Sequence, residues 1–194
     1  FCTILERSEA SVSVKLKRLK KKDGNYNEKH LTEKVDINKQ FVEYIKPNSI
    51  LDVYARDGNV AYTNYNVISN DIDSSCETTY HMDAFDLLCT LYLDKEKFDI
   101  IDLDPYGSAY DCFDFAIKMA NKGLCITLGE MGHKRWKRFD YVKLRYGIYE
   151  LKDFTSDNLI KKIQEIGLRN KKKLNVFAVK DWQNISRVWF TIEP

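Results

Sequence analysis

The chain has 194 residues, of which 44% are hydrophobic and 31% are charged, and its formal net charge at pH 7 is +2. These values are typical of one soluble globular domain with a substantial core. No apolar run approaches the length of a membrane-spanning helix and no signal-peptide pattern is present, so we expect no contact with a membrane. The five cysteines form no CxxC pair. We therefore expect no metal site and reduced thiols in a cytoplasmic protein.

Charge is distributed unevenly along the chain. Residues 15–22, KLKRLKKK, contain six basic residues, whereas residues 51–115 contain 14 acidic residues and three Lys or Arg. Basic residues return at 133–145, where they alternate with aromatic ones. Two basic segments around an acidic middle suit a protein that holds a polyanion beside a cationic small molecule. We predict residues 1–24 as a basic N-terminal arm or linker and residues 25–194 as one folded domain.

Apolar periodicity indicates alternating helices and strands. In chain order we predict a helix at Leu31–Ile45, strands at Ser49–Ala55, Asn66–Ile72, Thr78–Asp83 and Phe98–Asp104, a helix at Ala109–Asn121 closed by Gly123, a strand at Leu124–Gly129, a helix at Ser156–Gly167, and strands at Leu174–Val179 and Ser186–Ile192. The first five strands are nearly continuous apolar runs, as is typical of parallel strands that are covered on both faces. This alternation predicts a doubly wound α/β sheet.

The lengths of the connections between the predicted strands indicate how the strands are oriented. The last two strands are joined by only a few residues, which suffices for a hairpin but not for a parallel crossover, so we expect the last strand to be antiparallel. Such an ending is typical of Rossmann-like class I methyltransferases. The links before and after the second strand are also shorter than a normal crossover. Either the helices there are reduced to a turn, or one predicted strand is wrong.

The turn after the first predicted strand, DVYARDGN, indicates a ligand site. In sheets of this kind, ligands bind outside the carboxyl ends of the strands. Asp52, Ala55 and Gly58 are predicted to form a tight turn beneath the ligand, since glycine permits close backbone approach. Neither the Walker phosphate-loop pattern nor GxGxxG is present. The acidic turn suits a cationic ligand better than a pyrophosphate.

Acidic residues also follow the second and third predicted strands. Asp71 or Asp73 can accept hydrogen bonds from both hydroxyls of a ribose. Asp83 can accept one from an adenine amino group, while Met82 or Phe85 packs on the ring. A ribose, an adenine and a cationic group together predict S-adenosylmethionine as the cofactor.

The fourth strand ends in DLDPYG, which suits a planar base with an exocyclic amino group. Asp104 is predicted to accept a hydrogen bond from the amine, Pro105 and Gly107 shape the turn, and Tyr106 stacks on a base that has left its helix. Methyl transfer is an in-line displacement, so catalysis would depend mainly on positioning and electrostatics. The alternative is a plain turn after a buried strand.

The second basic segment, HKRWKRFDYVKLRY, is a candidate nucleic-acid surface. Lys134, Arg135, Lys137 and Arg138 are predicted to contact phosphates, and Trp136 is predicted to stack on bases. The alternative is an ordinary amphipathic surface helix. The N-terminal arm either contacts phosphates or links the domain to an upstream domain or partner subunit.

The segment DLDPYGSAYDCFDFAIKMANKGLCITLGEMG resembles the Asp-Pro-Phe/Tyr-Gly-Ser motif, the following helix and the fifth strand of the tRNA guanine N2-dimethyltransferases. NYNEKHLTEKVDINKQFV, LDVYARDG, SNDID, MDAFDLL and KLRYGI are similar to further motifs of that family. The resemblance runs from about residue 25 to the end, and implies a catalytic domain that uses S-adenosylmethionine to methylate a base amino group in RNA.

Residue roles follow from this resemblance. It implies that Asp71 holds the ribose, that Asp83 and Ala84 hold the adenine, and that Asp104 binds the target amine. It also adds Asn38 and Lys39 to the predicted cofactor residues, although the family has arginine in place of Lys39.

Other functions remain open at this point. The motif is related to the DPPY motif of DNA adenine-N6 and cytosine-N4 methyltransferases, which makes DNA an alternative substrate. A non-catalytic methyltransferase fold that serves as a nucleic-acid-binding subunit is a second alternative, and a methyltransferase of small molecules or proteins is a weaker third. The two basic segments favour nucleic acid, with RNA ahead of DNA.

Overall fold

A computed structural model describes residues 26–56, 58–132, 139–182 and 184–193, with side-chain exposure from His30 onward. The chain divides into two compact units, residues 1–34 and residues 35–194. The described part of the first unit is the beginning of one helix. The sheet belongs to the second unit. No described helix is both long and apolar enough to cross a membrane.

Within the described ranges, helices alternate with strands along the chain. The helices are α1 (Tyr26–Ile45), α2 (Ala84–Leu93), α3 (Phe113–Met119), α4 (Phe139–Tyr146) and α5 (Ser156–Arg169). The strands are β1 (Ile50–Asp52), β2 (Val67–Ser69), β3 (Phe98–Leu103), β4 (Ala120–Leu128), β5 (Lys173–Trp182) and β6 (Ile185–Glu193). Short 3-10 helices lie at Val60–Tyr62, Tyr110–Cys112, Gly129–Met131 and Leu151–Asp153.

The six strands form one sheet in the order β2-β1-β3-β4-β6-β5. β1 to β4 are parallel, whereas β6 is antiparallel to both β4 and β5. The predicted class, a doubly wound and mostly parallel α/β sheet with an antiparallel last strand, is confirmed. Because β1, β2 and β3 all run in the same direction, the residues that follow them meet at one edge of the sheet.

The third predicted strand, Thr78–Asp83, is wrong, and the sheet of the described residues has six strands instead of seven. This segment forms only an isolated bridge between Asn70 and Tyr80. The side chain of Asn70 adds hydrogen bonds beside this bridge: its Nδ2 donates to the carbonyls of Val53 and Met82, at 3.0 and 3.1 Å, and its Oδ1 accepts from the amide of Met82 at 3.0 Å. One amide side chain therefore ties this loop to the end of β1, in a link too short for a crossover helix.

The boundary between α3 and β4 also differs from the prediction. The expected helix Ala109–Asn121 is a 3-10 turn followed by α3, which ends at Met119 because Ala120 already pairs with Phe98 in the sheet. Gly123 does not close the helix but lies inside β4, where a Cβ atom would come 2.8 Å from the ring of Phe41. The glycine lets α1 pack directly on the strand.

The core lies on both faces of the sheet. On one face, α1 covers Ile50, Ile100 and Trp189 with the fully buried ring of Phe41. On the other face, α2, α3 and α5 cover residues such as Leu103. Burying one such apolar side chain contributes about 1.5–3 kcal/mol, so the two layers fix the sheet that carries the loops at its edge.

Candidate functional site

A cavity of about 250 Å³ lies at the carboxyl edge of the sheet. Its lining comes from the loops that follow β1, β2 and β3 and from the beginning of α2. The lining residues are Tyr54, Asn70, Asp71, Ile72, Met82, Asp83, Ala84, Phe85, Ser108, Ala109, Asp111 and Cys112. Two predicted ligand carboxylates and the serine that follows Gly107 therefore share one cavity.

Asp71 organises the loop after β2. Its Oδ2 accepts a hydrogen bond from the amide of Arg56 at 3.0 Å, and its Oδ1 accepts one from the amide of Asp73 at 2.9 Å. A carboxylate oxygen accepts more than one hydrogen bond, so both oxygens can still receive ligand hydroxyls. The carboxylate of Asp73 instead accepts hydrogen bonds from the amide and hydroxyl of Ser75. Of the two predicted alternatives, Asp71 is the one that lines the cavity.

Asp83 is the N-cap of α2. Its Oδ1 accepts hydrogen bonds from the amides of Phe85 and Asp86, at 2.9 and 3.4 Å. This cap uses one of the two carboxylate oxygens and fixes the direction of the side chain. Ala84, Met82 and Phe85 line the cavity beside it, so apolar surface adjoins the carboxylate.

Tyr54 and Cys112 form a neutral part of the wall. The phenol oxygen of Tyr54 lies 3.6 Å from Sγ of Cys112. Burial raises the pKa of the Cys112 thiol to about 11, and burial together with the neighbouring thiol raises the pKa of Tyr54 above its ordinary value. Both groups are therefore uncharged at pH 7.

The lining also carries three acidic side chains. Asp111 forms an ion pair of 2.9 Å with Arg145 of α4. Asp71 and Asp83 have no basic side chain within 4 Å in the described parts of the chain. The cavity is therefore acidic and suits a ligand with positive charge.

The turn that follows β3 lies at the same edge. Asp104 is half-buried, and its Oδ1 accepts a hydrogen bond from the hydroxyl of Thr127 at 2.5 Å. Pro105 is buried, whereas Tyr106 has 91% of its surface exposed. A tyrosine presented in this way offers a flat ring to a partner molecule.

Gly129 allows this turn to pack on the end of β4. A Cβ atom at Gly129 would lie 2.0 Å from the carbonyl oxygen of Gly107, so only glycine fits there. The next residue, Ser108, donates a hydrogen bond from its hydroxyl to Oε1 of the fully buried Glu130. The hydroxyl of Tyr146 in α4 donates to the same oxygen at 2.7 Å. Burial raises the pKa of Glu130 above its ordinary value.

A buried ionic network lies behind Asp104, between β3, β6 and α1. Nη2 of Arg187 contacts both carboxylate oxygens of Asp102, at 2.8 and 2.7 Å. The hydroxyl of Tyr62 donates to Asp102 at 2.7 Å. Oδ1 of Asn38 accepts from Trp189 at 2.7 Å and from Arg187 at 3.3 Å. A fully buried arginine of this kind depends on such partners to offset its lost hydration.

The remaining predicted cofactor residues lie outside the cavity lining. Asn38 is part of the buried network, and Lys39 is an exposed neighbour on α1. Asp52 is buried in register with Asp102 on the adjacent strand. Ala55 and Gly58 form the turn after β1, where Gly58 has a φ of +87°. The predicted nucleic-acid residues Lys134, Arg135, Trp136, Lys137 and Arg138 lie outside the described residues.

Several residues of this region were not predicted from the sequence. Asn70 lies directly before Asp71 in SNDID, so the motif itself contained that signal. Arg187 is a lone charge inside the apolar strand SRVWFTI, which is a signal for a paired buried group. For Tyr54, Asp111 and Cys112 the sequence contains no comparable sign.

The profile of one protein family matches this chain. The family is described as N2,N2-dimethylguanosine tRNA methyltransferase, and the match covers residues 27–133. These residues include the whole cavity lining and the turn at Asp104. No curated protein sequence matches the chain.

Solved structures of methyltransferases are similar to this one. Trm1 from Pyrococcus horikoshii, in complex with S-adenosyl-L-methionine, superposes with a TM-score of 0.67 and 16% identity over 84% of this chain and 54% of that chain. For magnesium protoporphyrin IX methyltransferase (ChlM) from Synechocystis PCC 6803, with bound SAH, the TM-score is 0.55 and the identity 13%, over 88% and 87% of the two chains. For a putative SAM-dependent methyltransferase from Streptococcus mutans the values are 0.53 and 9%, over 80% and 48%.

These likenesses establish a shared Rossmann-like methyltransferase fold. The chain spans about half the length of the Pyrococcus protein.

Proposed function

The chain belongs to the N2,N2-dimethylguanosine tRNA methyltransferase family, and from this premise we propose that it transfers a methyl group from S-adenosylmethionine to an exocyclic amino group of a nucleic-acid base. The proposed substrate is RNA, with the N2 amine of a guanine in tRNA as the first candidate. One observation carries the proposal: an acidic cavity at the carboxyl edge of the sheet adjoins the turn that presents Asp104 and Tyr106.

The residues of the cavity fit S-adenosylmethionine. Asp71 offers two oxygens to the ribose hydroxyls, and Asp83 offers an acceptor to the adenine amino group, with Ala84 beside it. Met82 and Phe85 supply apolar surface for the adenine ring. The acidic lining matches the positive charge of the sulfonium and the amino group.

The remaining predicted cofactor residues take a supporting role in this proposal. Ala55 and Gly58 shape the turn after β1, and none of the five forms the cavity wall. These residues are Asn38, Lys39, Asp52, Ala55 and Gly58.

The chain's own groups would orient the amine and receive its proton. Bound S-adenosylmethionine supplies the methyl group: a nitrogen–carbon bond forms while the sulfur–carbon bond breaks, and the sulfonium becomes a neutral thioether. Asp104 accepts a hydrogen bond from the amine and holds its lone pair toward the methyl group. Asp104 then takes the proton that the methylated nitrogen loses. Tyr106 stacks on the target base after the base has left the nucleic-acid helix. Pro105 and Gly107 fix the turn that carries Asp104 and Tyr106.

Nucleic-acid contacts are assigned to the basic segments. In this proposal Lys134, Arg135, Lys137 and Arg138 neutralise phosphates and Trp136 stacks on bases, while the arm at 1–24 adds further phosphate contacts or joins a partner subunit. Residues 25–194 then form the catalytic domain. The five cysteines form no CxxC pair, and we propose reduced thiols and the cytoplasm as the compartment.

One structural feature favours a second candidate, a non-catalytic subunit that retains the fold. The described residues of the link between β1 and β2 include a single short helix, the 3-10 helix Val60–Tyr62, and the segment at Thr78–Asp83 makes a single bridge. Reduced connections of this kind are compatible with the loss of activity. A non-catalytic subunit would not bind the methyl donor.

Two measurements test the proposal. Isothermal calorimetry with S-adenosylmethionine measures donor binding, and transfer of tritiated methyl groups to separate tRNA, rRNA and duplex DNA pools, followed by nucleoside analysis, identifies the substrate. We expect binding and incorporation into tRNA as methylated guanine. Incorporation into DNA as N6-methyladenine or N4-methylcytosine would move the function to the DNA alternative, and absence of donor binding would falsify the enzyme proposal.

A further inference from the structure

The Asp104 carboxylate is held by a chain of hydrogen bonds whose direction is fixed. The guanidinium of Arg187 only donates hydrogen bonds, and its Nη1 lies 2.8 Å from the hydroxyl oxygen of Thr127. Because that oxygen accepts from arginine, the single hydroxyl proton of Thr127 is directed to Oδ1 of Asp104 at 2.5 Å. Nη1 of Arg187 also lies 3.5 Å from the same carboxylate oxygen.

The arginine at the start of this chain is itself immobilised. Its side chain is fully buried, with Nη2 held between the two oxygens of Asp102. Cζ lies 5.1 Å from the ring of Trp189. The planar guanidinium holds its hydrogen-bond donors in fixed directions, toward Asp102 and toward Thr127. The ammonium group of a flexible lysine would not hold both directions at once.

The charge of Arg187 persists in this buried site. Burial opposes the charge, but the carboxylates of Asp102 and then Asp104 outweigh that effect and hold the pKa of Arg187 well above its usual value. The network thus keeps a fixed positive charge behind the turn after β3.

We propose that Thr127 and Arg187 are positioning residues, which orient the Asp104 carboxylate for the amine of the substrate base; this rests on the proposed function of Asp104 in methyl transfer. Neither residue lines the cavity, so they act through Asp104 and not on the cofactor. They come from β4 and β6, whereas Asp104 follows β3, so the sheet itself sets the direction of the carboxylate. Methyl transfer is an in-line displacement, so a small angular error in the position of the amine lowers its rate. The hydrogen bond from Thr127 to Asp104 therefore matters for turnover.

Thr127→Val tests this: valine has nearly the same shape and leaves the contact between Arg187 and Asp102 in place, while Nη1 of Arg187 loses its contact with the hydroxyl and retains the longer one with Asp104. Calorimetry with S-adenosylmethionine shows that the variant is folded. We expect kcat to fall about 10–100-fold, while the dissociation constant for S-adenosylmethionine changes less than about twofold. Thr127→Ser retains the hydroxyl, and we expect it to restore kcat to within about threefold of wild type. A purely structural role for the residue would lower the affinity for S-adenosylmethionine together with kcat.

Thr191→Val is the matched control. Thr191 lies on β6 beside Gly123, at the opposite end of the sheet from Asp104, and its hydroxyl donates to the carbonyl of Asn175 at 3.5 Å. This variant should have wild-type kcat. A second variant, Arg187→Lys, keeps the charge but loses the planar donors, and we expect kcat to fall by at least as much as in Thr127→Val.

The outcomes separate this inference from the proposed function. Donor binding and turnover by the wild type, together with loss of turnover in Asp104→Asn, would establish the role of Asp104. If Thr127→Val then kept wild-type kcat, or if Thr127→Ser were as slow as Thr127→Val, the positioning role would be excluded while the proposed function remained. No donor binding by the wild type would overturn the proposed function, and the positioning role would fall with it.

Discussion

The carbonyl oxygen of Gly107 occupies the position that a Cβ atom at Gly129 would need, because the two would lie only 2.0 Å apart. The turn that carries Asp104 is therefore supported by the end of β4, and its position depends on the absence of a single methyl group. The same turn continues into Ser108, which lines the cavity. The proposed cofactor site and the proposed amine site are thus coupled through one backbone contact.

We expect Gly129→Ala to displace this turn. Backbone has to move to admit the methyl group, so kcat should fall at least 10-fold and the affinity for S-adenosylmethionine should fall several-fold. Radiolabelled methyl transfer and calorimetry measure the two effects. The control is Gly132→Ala, where a Cβ atom would meet nothing within 4 Å. Equal activity of the two variants would show that the turn does not need this support.

The role of Asp104 is tested by Asp104→Asn, which keeps the size of the side chain and removes its charge. We expect turnover to fall at least 100-fold, since the amide is a poorer acceptor for the amine and for its proton. S-adenosylmethionine affinity should stay within a few-fold of wild type because Asp104 does not line the cavity. The same substitution at the exposed Asp157 of α5 is the control. Wild-type turnover by Asp104→Asn would disprove the assignment.

The sequence predicted much of the fold because its signals are local. Nearly continuous apolar runs marked the parallel strands, and the short link before Ser186 predicted the antiparallel hairpin that the structure has. The error at Thr78–Asp83 has a physical cause: a single bridge at Tyr80 and side-chain hydrogen bonds from Asn70 and Ser69 hold this segment, and no strand ladder forms. Residue patterns do not distinguish a segment held mainly by side-chain hydrogen bonds from a true edge strand.

The site was predictable where its residues directly follow strands. Asp71 follows β2 and lines the cavity, as expected. Asp83 also lines the cavity, although the strand predicted before it is absent. The contacts of Arg187 with Asp102 and Thr127 join residues that are 85 and 60 positions apart. Only the strand order β3-β4-β6 brings these together, and that order was not specified in advance. The sequence therefore indicated which carboxylates lie at the site, but not the buried contacts of Arg187 and Thr127 behind it.

Asp83→Asn separates cofactor binding from stability. Asparagine is as good an N-cap as aspartate, so the beginning of α2 should keep its hydrogen bonds and the melting temperature should change little. Loss of the negative charge should weaken S-adenosylmethionine binding about 10-fold. Calorimetry measures the affinity, and thermal unfolding checks the cap. If the affinity is unchanged while the fold is intact, the adenine amino group does not bind at Asp83.

The ion pair between Arg187 and Asp102 should be the most sensitive electrostatic contact of the sheet. Arg187→Met leaves the carboxylate of Asp102, whose side chain is 2% exposed, buried without its cation. Removal of one partner from such a pair costs about 3–5 kcal/mol of unfolding free energy. Urea unfolding measures this loss. The control is Lys173→Met, which removes the exposed pair with Glu193 and should cost at most about 1 kcal/mol.

Glu130 should make the stability of the protein depend on pH in an unusual direction. Burial raises the pKa of its carboxyl group in the folded state, so the folded protein retains a proton at pH values where the unfolded chain has lost it. The unfolding free energy contributed by this group is therefore highest below the unfolded pKa, and it decreases as the pH rises through the window up to the folded pKa. Glu130→Gln keeps an oxygen that accepts from Ser108 and Tyr146 but does not titrate. We expect this variant to gain stability relative to wild type as the pH rises from 4.5 to 7, measured by urea unfolding at each pH. A difference between the two proteins that does not change over this range would show that Glu130 titrates normally in the folded state.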